Sequence, residues 1–289
     1  MQPDVDIIVP FYKAPQEMIE NFLTSISNQT YPHEKLHLIM VDNNEEAQQV
    51  VISEYDYETV VLHCKTPGSY AARNYAVHRS CHELIVFSDI DCRPSKDWIT
   101  CATNGMTNKS IAGGAIRVVC KNPYSPSLCE DFDRRTHLSQ HQYILNGFAA
   151  TANLLVWRDV FYNVGDFESG FFSGGDEQWC KKANYEIAYI DDAIVFHPAR
   201  IHLSSIIKKN RRGCGSYFGR LSLPNYVACI KSIVYEIKVL RNRWNRLWEC
   251  DYKTSVVRKI GLTILFGIVE TSRICEYIKL GLGGNPERE

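Results

Sequence analysis

Asp89 and Asp91 directly follow a short apolar run at residues 84–87, and their type and spacing suit a divalent cation. Two carboxylates this close together repel each other unless a cation joins them. Mg²⁺ and Mn²⁺ prefer carboxylate oxygens and substrate phosphates, with water completing the coordination shell. An Asp-X-Asp triplet is a weak signal by itself, because aspartate is also common after strands and at helix N-termini. Its meaning depends on which other groups the fold brings to the same place.

The elements around this triplet predict where it lies. Apolar runs that indicate buried strands alternate with helical patterns over the first 120 residues, which predicts a mostly parallel, doubly wound α/β sheet. Ligands of such sheets bind beyond the carboxyl ends of the strands. Three strand ends carry polar clusters, namely Pro10-Phe11-Tyr12, Asp42-Asn43-Asn44 and Asp89-Ile90-Asp91. We therefore expect the three clusters to converge on one edge of the sheet.

The second half of the chain is less regular. Apolar runs predict four further strands, at 112–119, 153–157, 187–190 and 193–196, and the last of these leads to His197. From residue 201 onward the apolar spacing is helical and the composition basic. Neither GxGxxG nor GxxxxGK[ST] occurs, so a metal, side chains and scattered amides must hold the phosphates of any bound nucleotide.

Several segments together resemble the inverting family 2 glycosyltransferases of the GT-A fold. They are Asp6-Ile7-Ile8-Val9-Pro10, Val41-Asp42-Asn43-Asn44, Gly68-Ser69-Tyr70-Ala71-Ala72-Arg73-Asn74, the triplet 89–91 and Gly174-Gly175-Asp176, with 152–161 and 164–167 resembling the acceptor-side half. Each motif is modest alone, but their order and spacing over residues 6–200 are highly specific. The resemblance implies a GT-A-like, Rossmann-type central sheet, mostly parallel and flanked by helices.

The resemblance also implies roles on the donor side. Pro10 and Tyr12 would line the nucleotide pocket, and Asp42 would contact the base or the ribose. Arg73 would brace the pocket near the diphosphate. Asp89 would bind the ribose or the metal.

Further roles concern the metal and the base. Asp91 would coordinate Mn²⁺ or Mg²⁺ directly, and His197 would contact the metal or the diphosphate. Asp176 would be the general base, with Glu177 as the fallback because relatives frequently show Glu-Asp where this chain has Asp-Glu. The QxxRW motif of processive relatives is absent, and Arg212 in the basic segment 208–213 would contact the diphosphate instead.

Structural alternatives exist for these residues. Asp176 could be the N-cap of a helix after a plain glycine turn. His197, which precedes a proline, could be a strand-end histidine bonded to backbone. The segment 208–212 could be a solvated charge run.

The resulting prediction is metal-dependent, inverting, non-processive transfer of a sugar from a UDP-, GDP- or dTDP-sugar to a glycan or a lipid-linked acceptor. Bacterial surface-polysaccharide synthesis is the usual setting of such relatives. Residues 1–200 would form the catalytic domain, with a nucleotide-sugar half at 1–120 and an acceptor half at 121–200. Residues 201–289 would form a basic helical extension.

Two alternatives belong to other functional classes. A sugar-1-phosphate nucleotidyltransferase shares the α/β architecture and the metal-binding carboxylates. Its glycine-rich phosphate loop after the first strand is missing here, where the sequence is Phe11-Tyr12-Lys13-Ala14. A membrane-bound scaffold could retain nucleotide sugar without turnover, although Asp89, Asp91 and Asp176 argue against it.

The charge distribution is uneven. Residues 1–194 hold 15 basic and 26 acidic residues, whereas residues 195–289 hold 17 basic and 7 acidic ones. A basic tail favours a polyanionic or membrane-surface partner, and the alternative is a solvated helical face. No nucleic-acid partner is expected. The absence of a signal peptide and the eleven dispersed cysteines favour a cytoplasmic protein.

The tail could meet a membrane through its apolar stretch at 260–269, which is too short to span a bilayer. Nearby basic and aromatic residues suit a helix lying in the interface of an anionic inner membrane face. The expected inserting residues are Leu262, Leu265, Phe266 and Val269. The alternative is that these helices pack on the protein or in a homo-oligomer.

Overall fold

The apolar runs form one mixed sheet in the computed structural model, which describes residues 2–52, 55–170, 173–249 and 254–287. In this part of the chain the sheet order is β3-β2-β1-β4-β7-β6-β8-β5. The strands are β1 (Val5–Phe11), β2 (Leu36–Asp42), β3 (Glu58–His63), β4 (Leu84–Ser88), β5 (Arg93–Pro94), β6 (Ile111–Val119), β7 (Asn153–Trp157) and β8 (Ile187–Pro198). The pairs β1–β2, β1–β4 and β2–β3 are parallel, whereas β4–β7, β6–β7 and β5–β8 are antiparallel.

Ten α-helices are described, together with one 3₁₀ helix at His33–Lys35. They are α1 (Gln16–Ser27), α2 (Ser69–Val77), α3 (Trp98–Gly105), α4 (Leu128–Thr136), α5 (Gln140–Leu145), α6 (Arg158–Val164), α7 (Gly175–Ala183), α8 (Leu203–Arg220), α9 (Asn225–Trp248) and α10 (Val256–Gly281). The α/β architecture expected from the sequence is confirmed.

The central strand β1 explains why the sheet has two covered faces. All seven of its residues are buried, and successive side chains of a strand point to opposite faces. Ile7 and Val9 pack in one core cluster with the buried side of α1, whereas Ile8 packs in the other with Phe87 and Trp179. A strand covered on both faces has a near-continuous apolar sequence, which is what residues 7–11 show after Asp6.

The register of the parallel strands brings their carboxyl ends to one edge. Phe11 at the end of β1 pairs with Asp42 at the end of β2, and Asp42 pairs with His63 at the end of β3. β4 runs parallel to β1 and ends at Ser88, directly before the Asp-X-Asp triplet. The polar clusters that follow β1, β2 and β4 therefore lie at the same edge, as the sequence indicates.

The chain divides into two compact units. The first contains the described residues within 1–117, 138–171 and 175–197, and the second contains those within 118–137, 172–174 and 198–289. The segment 118–137, which includes α4, thus groups with the helices after residue 198 instead of with the acceptor half at 121–200.

Two local predictions are wrong. The short strands expected at 187–190 and 193–196 are one continuous strand, β8, in which Asp191 and Asp192 are exposed. The acidic pair interrupts the apolar pattern, but backbone pairing does not need apolar side chains.

The second error concerns the face of α10. The residues expected to insert into a membrane, Leu262, Leu265, Phe266 and Val269, are buried in the second unit with Phe132, Ile206 and Leu247. Helix α10 is apolar on two sides, and periodicity alone does not tell which side meets protein. Among the described residues, no helix is long and apolar enough to cross a membrane.

Candidate active site

The Asp-X-Asp triplet forms a turn between β4 and β5. The Cys92 N–H donates to the Asp89 carbonyl at 3.0 Å and closes the turn. Strand β5 then pairs with β8 near its carboxyl end, where His197 lies. As a result, the Oδ2 atom of Asp91 lies 3.4 Å from Nε2 of His197. The structure thus brings together two residues that are 106 positions apart in the sequence.

Asp91 and His197 fit a divalent metal by their chemistry. One offers a carboxylate oxygen, the other an imidazole nitrogen, and the Asp91 side chain is 34% exposed. Within the described ranges, no group of three or more His, Cys, Asp or Glu side chains is arranged to hold a metal. The assignment of Asp91 and His197 as metal ligands stays a prediction, and a metal held by these two residues would need further ligands, which Mg²⁺ and Mn²⁺ take from substrate phosphates and water.

Arg73 connects the triplet to the start of α2. Its side chain is 2% exposed, and its guanidinium group forms an ion pair with the Asp89 carboxylate. The same guanidinium lies 5.8 Å from the centre of the Tyr70 ring. Because Arg73 neutralises Asp89, the repulsion that Asp89 exerts on Asp91 is reduced.

Asp176, the second residue of α7, is held by three donors. The Tyr70 hydroxyl donates to Oδ1 at 3.1 Å, and the Thr151 N–H donates to Oδ2 at 3.2 Å. The Glu177 N–H also donates to Oδ1, at 2.9 Å. Burial raises the pKa of Asp176 above its ordinary value, although these hydrogen bonds and the charge of Arg73 partly oppose the shift. A carboxylate with a raised pKa is a stronger base than an exposed one.

Glu177 has a different environment. Its Oε1 atom lies 2.6 Å from Nζ of Lys181 one helical turn later, in an ion pair at the surface. The neighbouring carboxylate, Asp176, is instead fixed by buried donors. This difference favours Asp176 over Glu177 as the base.

Gly175 allows the close approach of α7 to α2. A Cβ atom at this position would lie 2.7 Å from the Tyr70 ring, which is closer than packed atoms can come. Packing therefore requires a glycine before Asp176, because any side chain there would push Tyr70 away from the Asp176 carboxylate.

The predicted nucleotide residues lie at the ends of β1 and β2. Pro10 is buried within β1, while Tyr12, just after it, is 44% exposed. The Asp42 carboxylate is buried and accepts hydrogen bonds from the Asn44 and Gln48 backbone N–H groups. A contact between Asp42 and a nucleoside stays a prediction.

Arg212 lies on α8, in the second compact unit. Its predicted contact with the donor diphosphate stays a prediction.

Sequence reasoning missed the residues that hold this site together. Tyr70 donates a hydrogen bond to Asp176, but in the sequence it is only one residue of the motif at 68–74. Asn74, one helical turn later, forms two hydrogen bonds with the backbone of Phe167, at 2.8 and 3.0 Å. Asn43 accepts from the Gly68 N–H at 2.8 Å and so fixes the start of α2. The sequence carried no signal for these contacts, because the burial of seven of the nine α2 residues, several of them polar, is seen only in the structure.

The fold is that of the GT-A glycosyltransferases. The structure is similar to a mannosyltransferase from Pyrobaculum calidifontis in complex with GDP-Man and Mn²⁺, with a TM-score of 0.56, 16% identity and coverage of 96% of this chain and 87% of that one. It is also similar to GalNAc-T7 with UDP, GalNAc and Mn²⁺, with a TM-score of 0.55, 13% identity and coverage of 69% and 44%.

The sequence comparisons identify the family. The chain belongs to glycosyl transferase family 2, whose pattern matches residues 6–165. It is 31% identical over 224 residues to the glycosyltransferase AglE of Haloferax volcanii, covering 74% of this chain and 73% of AglE. It is 27% identical over 126 residues to an N-acetylglucosaminyltransferase of Neorhizobium galegae, covering 42% of this chain and 29% of that protein.

Proposed function

We propose that this glycosyltransferase is metal-dependent, inverting and non-processive, and that it transfers one sugar from a nucleotide-sugar donor to an acceptor hydroxyl. The observation that carries the proposal is the connected arrangement of Asp176, Tyr70, Arg73 and Asp89. It links a half-buried carboxylate of raised pKa to the Asp-X-Asp turn at the edge where ligands of α/β sheets bind.

On the donor side, Asp91 and His197 would hold Mn²⁺ or Mg²⁺. When bound, such a metal neutralises negative charge on a leaving diphosphate. Arg73 keeps Asp89 in place and compensates its charge. Tyr12 offers an exposed aromatic ring for the nucleobase.

On the acceptor side, Asp176 takes the proton of the attacking hydroxyl onto a carboxylate oxygen. Tyr70 and Thr151 orient the carboxylate, so the base needs no reorganisation when the hydroxyl arrives. The hydroxyl oxygen forms the new bond to the anomeric carbon as the bond to the diphosphate breaks. A single displacement inverts the anomeric configuration, and it requires no nucleophilic side chain.

The donor is proposed to be a UDP-, GDP- or dTDP-sugar and the acceptor a glycan or a lipid-linked intermediate in surface-polysaccharide synthesis. Structural neighbours in complex with GDP-Man or UDP support a nucleotide-sugar donor. The family match favours this reaction over a sugar-1-phosphate nucleotidyltransferase.

The direct test is a panel of nucleotide sugars incubated with protein, Mn²⁺ and acceptor glycans or lipid-linked sugars. We expect one donor to release its nucleoside diphosphate, and NMR of the product to show the inverted anomer. A retained configuration would exclude Asp176 as the base of a single displacement. Tight donor binding without any release would favour the non-catalytic scaffold.

The pH dependence of transfer gives a second prediction. Because the Asp176 pKa is raised above 3.8, activity should fall with decreasing pH before an ordinary aspartate would be protonated. Tyr70→Phe removes a hydrogen bond that lowers this pKa, so the acid limb of kcat against pH should move to higher pH. Tyr185→Phe, at an exposed tyrosine, is the matched control. An acid limb unchanged in Tyr70→Phe would contradict the role of Asp176.

We propose that α10 lies at an anionic inner membrane face. The side of α10 that would meet the membrane is not the one expected from the sequence. Ile260 and Ile264 are each 57% exposed and Ile268 is 40% exposed, at intervals of four residues. Lys259 is exposed beside them. An apolar stripe with a basic residue at its edge suits the membrane interface.

Vesicle co-sedimentation tests this position. The double variant Ile260→Asn, Ile264→Asn should weaken binding to anionic vesicles about tenfold or more, because burial of each isoleucine contributes about 1.5–3 kcal/mol. Leu145→Asn, at an exposed leucine of the first unit, should bind like the parent. Equal binding by all three proteins would indicate that α10 does not insert.

A further inference from the structure

A cavity of about 180 Å³ lies among α4, α8, α9 and α10 of the second unit. Basic side chains from each of these helices or their ends line it, namely His137, Lys209, Arg243, Arg246 and Arg273. The glycosyl transfer chemistry of the first unit uses none of them. Their convergence on one small cavity needs its own explanation.

The carboxylates near the cavity do not balance these charges. Glu236 pairs with both Arg243 and Arg273, and Glu270 lies 2.7 Å from Arg243. Asp133 pairs with Arg200 at 3.3 Å. The local cations are Arg200, Lys209, Arg243, Arg246 and Arg273, which are five against three carboxylates. When Lys209 is protonated, the cavity therefore has an excess of positive charge that suits a dianion.

Lys209 lies among other cations, with Asp133 as the one carboxylate that opposes their effect on its pKa. Its ammonium contacts a ring nitrogen of His137, and burial together with the charges of Arg200, Arg212 and Arg273 lowers its pKa to about 7. The Nε atom of Arg243 is buried and has no hydrogen-bond partner among the described residues. A buried donor without a hydrogen-bond partner destabilises the protein, and so does a buried cation without enough opposite charge, unless an acceptor binds to them.

The remaining wall of the cavity is apolar. Phe132, Ile206, Phe266 and Val269 line it beside the cations. The volume is below the roughly 300–1,000 Å³ of ordinary ligand pockets, so a whole nucleotide sugar does not fit. A phosphate-sized group does fit, with hydrocarbon next to it.

We propose that this cavity binds a phosphate or diphosphate group, and that its source is the headgroup of a lipid-linked acceptor. The phosphate oxygens would accept hydrogen bonds from Lys209 and Arg246, and the first carbons of the lipid would lie on Phe266. The choice of source rests on the proposed function, whereas the anion site itself does not.

Calorimetry with inorganic pyrophosphate tests the anion site. EDTA is present throughout, so that metal-dependent binding at the Asp-X-Asp turn makes no contribution. We expect pyrophosphate to bind the parent, and Arg246→Gln to raise the Kd about tenfold, as for the loss of a hydrogen bond to a charged group. Arg241→Gln, at an exposed arginine of the same helix, is the matched control and should bind like the parent. No binding by the parent, or equal loss in both variants, would overturn the proposal.

Lys209→Met separates binding from folding. Because the buried lysine charge destabilises the protein without an anion, this variant should melt at the temperature of the parent or above it, yet lose most of the rise that pyrophosphate causes. A melting temperature that rises with pyrophosphate as in the parent would contradict the assignment of Lys209.

Binding of a short prenyl phosphate tests whether the phosphate group comes from a lipid headgroup. It should bind more tightly than inorganic phosphate in the same assay, because the apolar wall contacts its hydrocarbon. Equal affinity would overturn the lipid headgroup in favour of free phosphate. Competition with a nucleoside diphosphate distinguishes this proposal from the proposed function. Displacement of pyrophosphate by the nucleoside diphosphate in EDTA would contradict a separate site, whereas loss of transfer in Asp176→Asn concerns only the base.

Discussion

Asp176→Asn is expected to lower the rate of sugar transfer by about 10²- to 10⁴-fold, the range for removal of a general base. An asparagine side chain has the same shape, and its oxygen still accepts a hydrogen bond from Tyr70 or Thr151. Its amide does not take a proton from the acceptor hydroxyl. Donor affinity should therefore stay near that of the parent, so that kcat falls while the Kd of the nucleotide sugar by calorimetry does not change.

Glu177→Gln is the matched control for this prediction. The Glu177 carboxylate forms a surface ion pair with Lys181, so its loss should change kcat much less. If Glu177→Gln lost more activity than Asp176→Asn, the base would be Glu177. If both variants kept the parent rate, neither carboxylate would be the base.

The sequence alone predicts the strands whose carboxyl ends lie at the site. Strands β1, β2 and β4 are buried on both faces, so each appears as a continuous apolar run that stops where polar residues begin. The position of Asp89 and Asp91 after β4 follows from that local pattern. Parallel pairing then brings the strand ends to one edge without any knowledge of side-chain contacts.

The contacts within the site depend on packing between distant segments. The Tyr70–Asp176 hydrogen bond joins α2 to α7, and the Asp91–His197 contact depends on the pairing of β5 with β8. The spacing of single residues carries no information about such pairs. For the same reason the buried side of α10 was misassigned, because both of its sides are apolar and only packing distinguishes Leu262 from Ile264.

Asp91→Asn is expected to abolish the Mn²⁺-dependent part of nucleoside diphosphate binding while leaving the fold intact. The substitution removes one anionic metal ligand, and an amide oxygen is a much weaker ligand for a hard cation. The turn that carries Asp91 is closed by a backbone hydrogen bond between Cys92 and Asp89, which the substitution does not touch. Calorimetry with the nucleoside diphosphate should therefore show the same weak affinity with Mn²⁺ and with EDTA.

Two further variants make this result specific to Asp91. Asp192→Asn removes an exposed carboxylate from the same unit and should bind like the parent. Asp89→Asn should instead lower the melting temperature, because it leaves the buried Arg73 guanidinium without its ion-pair partner. Parent-like Mn²⁺-dependent binding by Asp91→Asn would mean that the carboxylate is not a metal ligand. The 3.4 Å contact between Asp91 and His197 would then serve only to join the turn to β8.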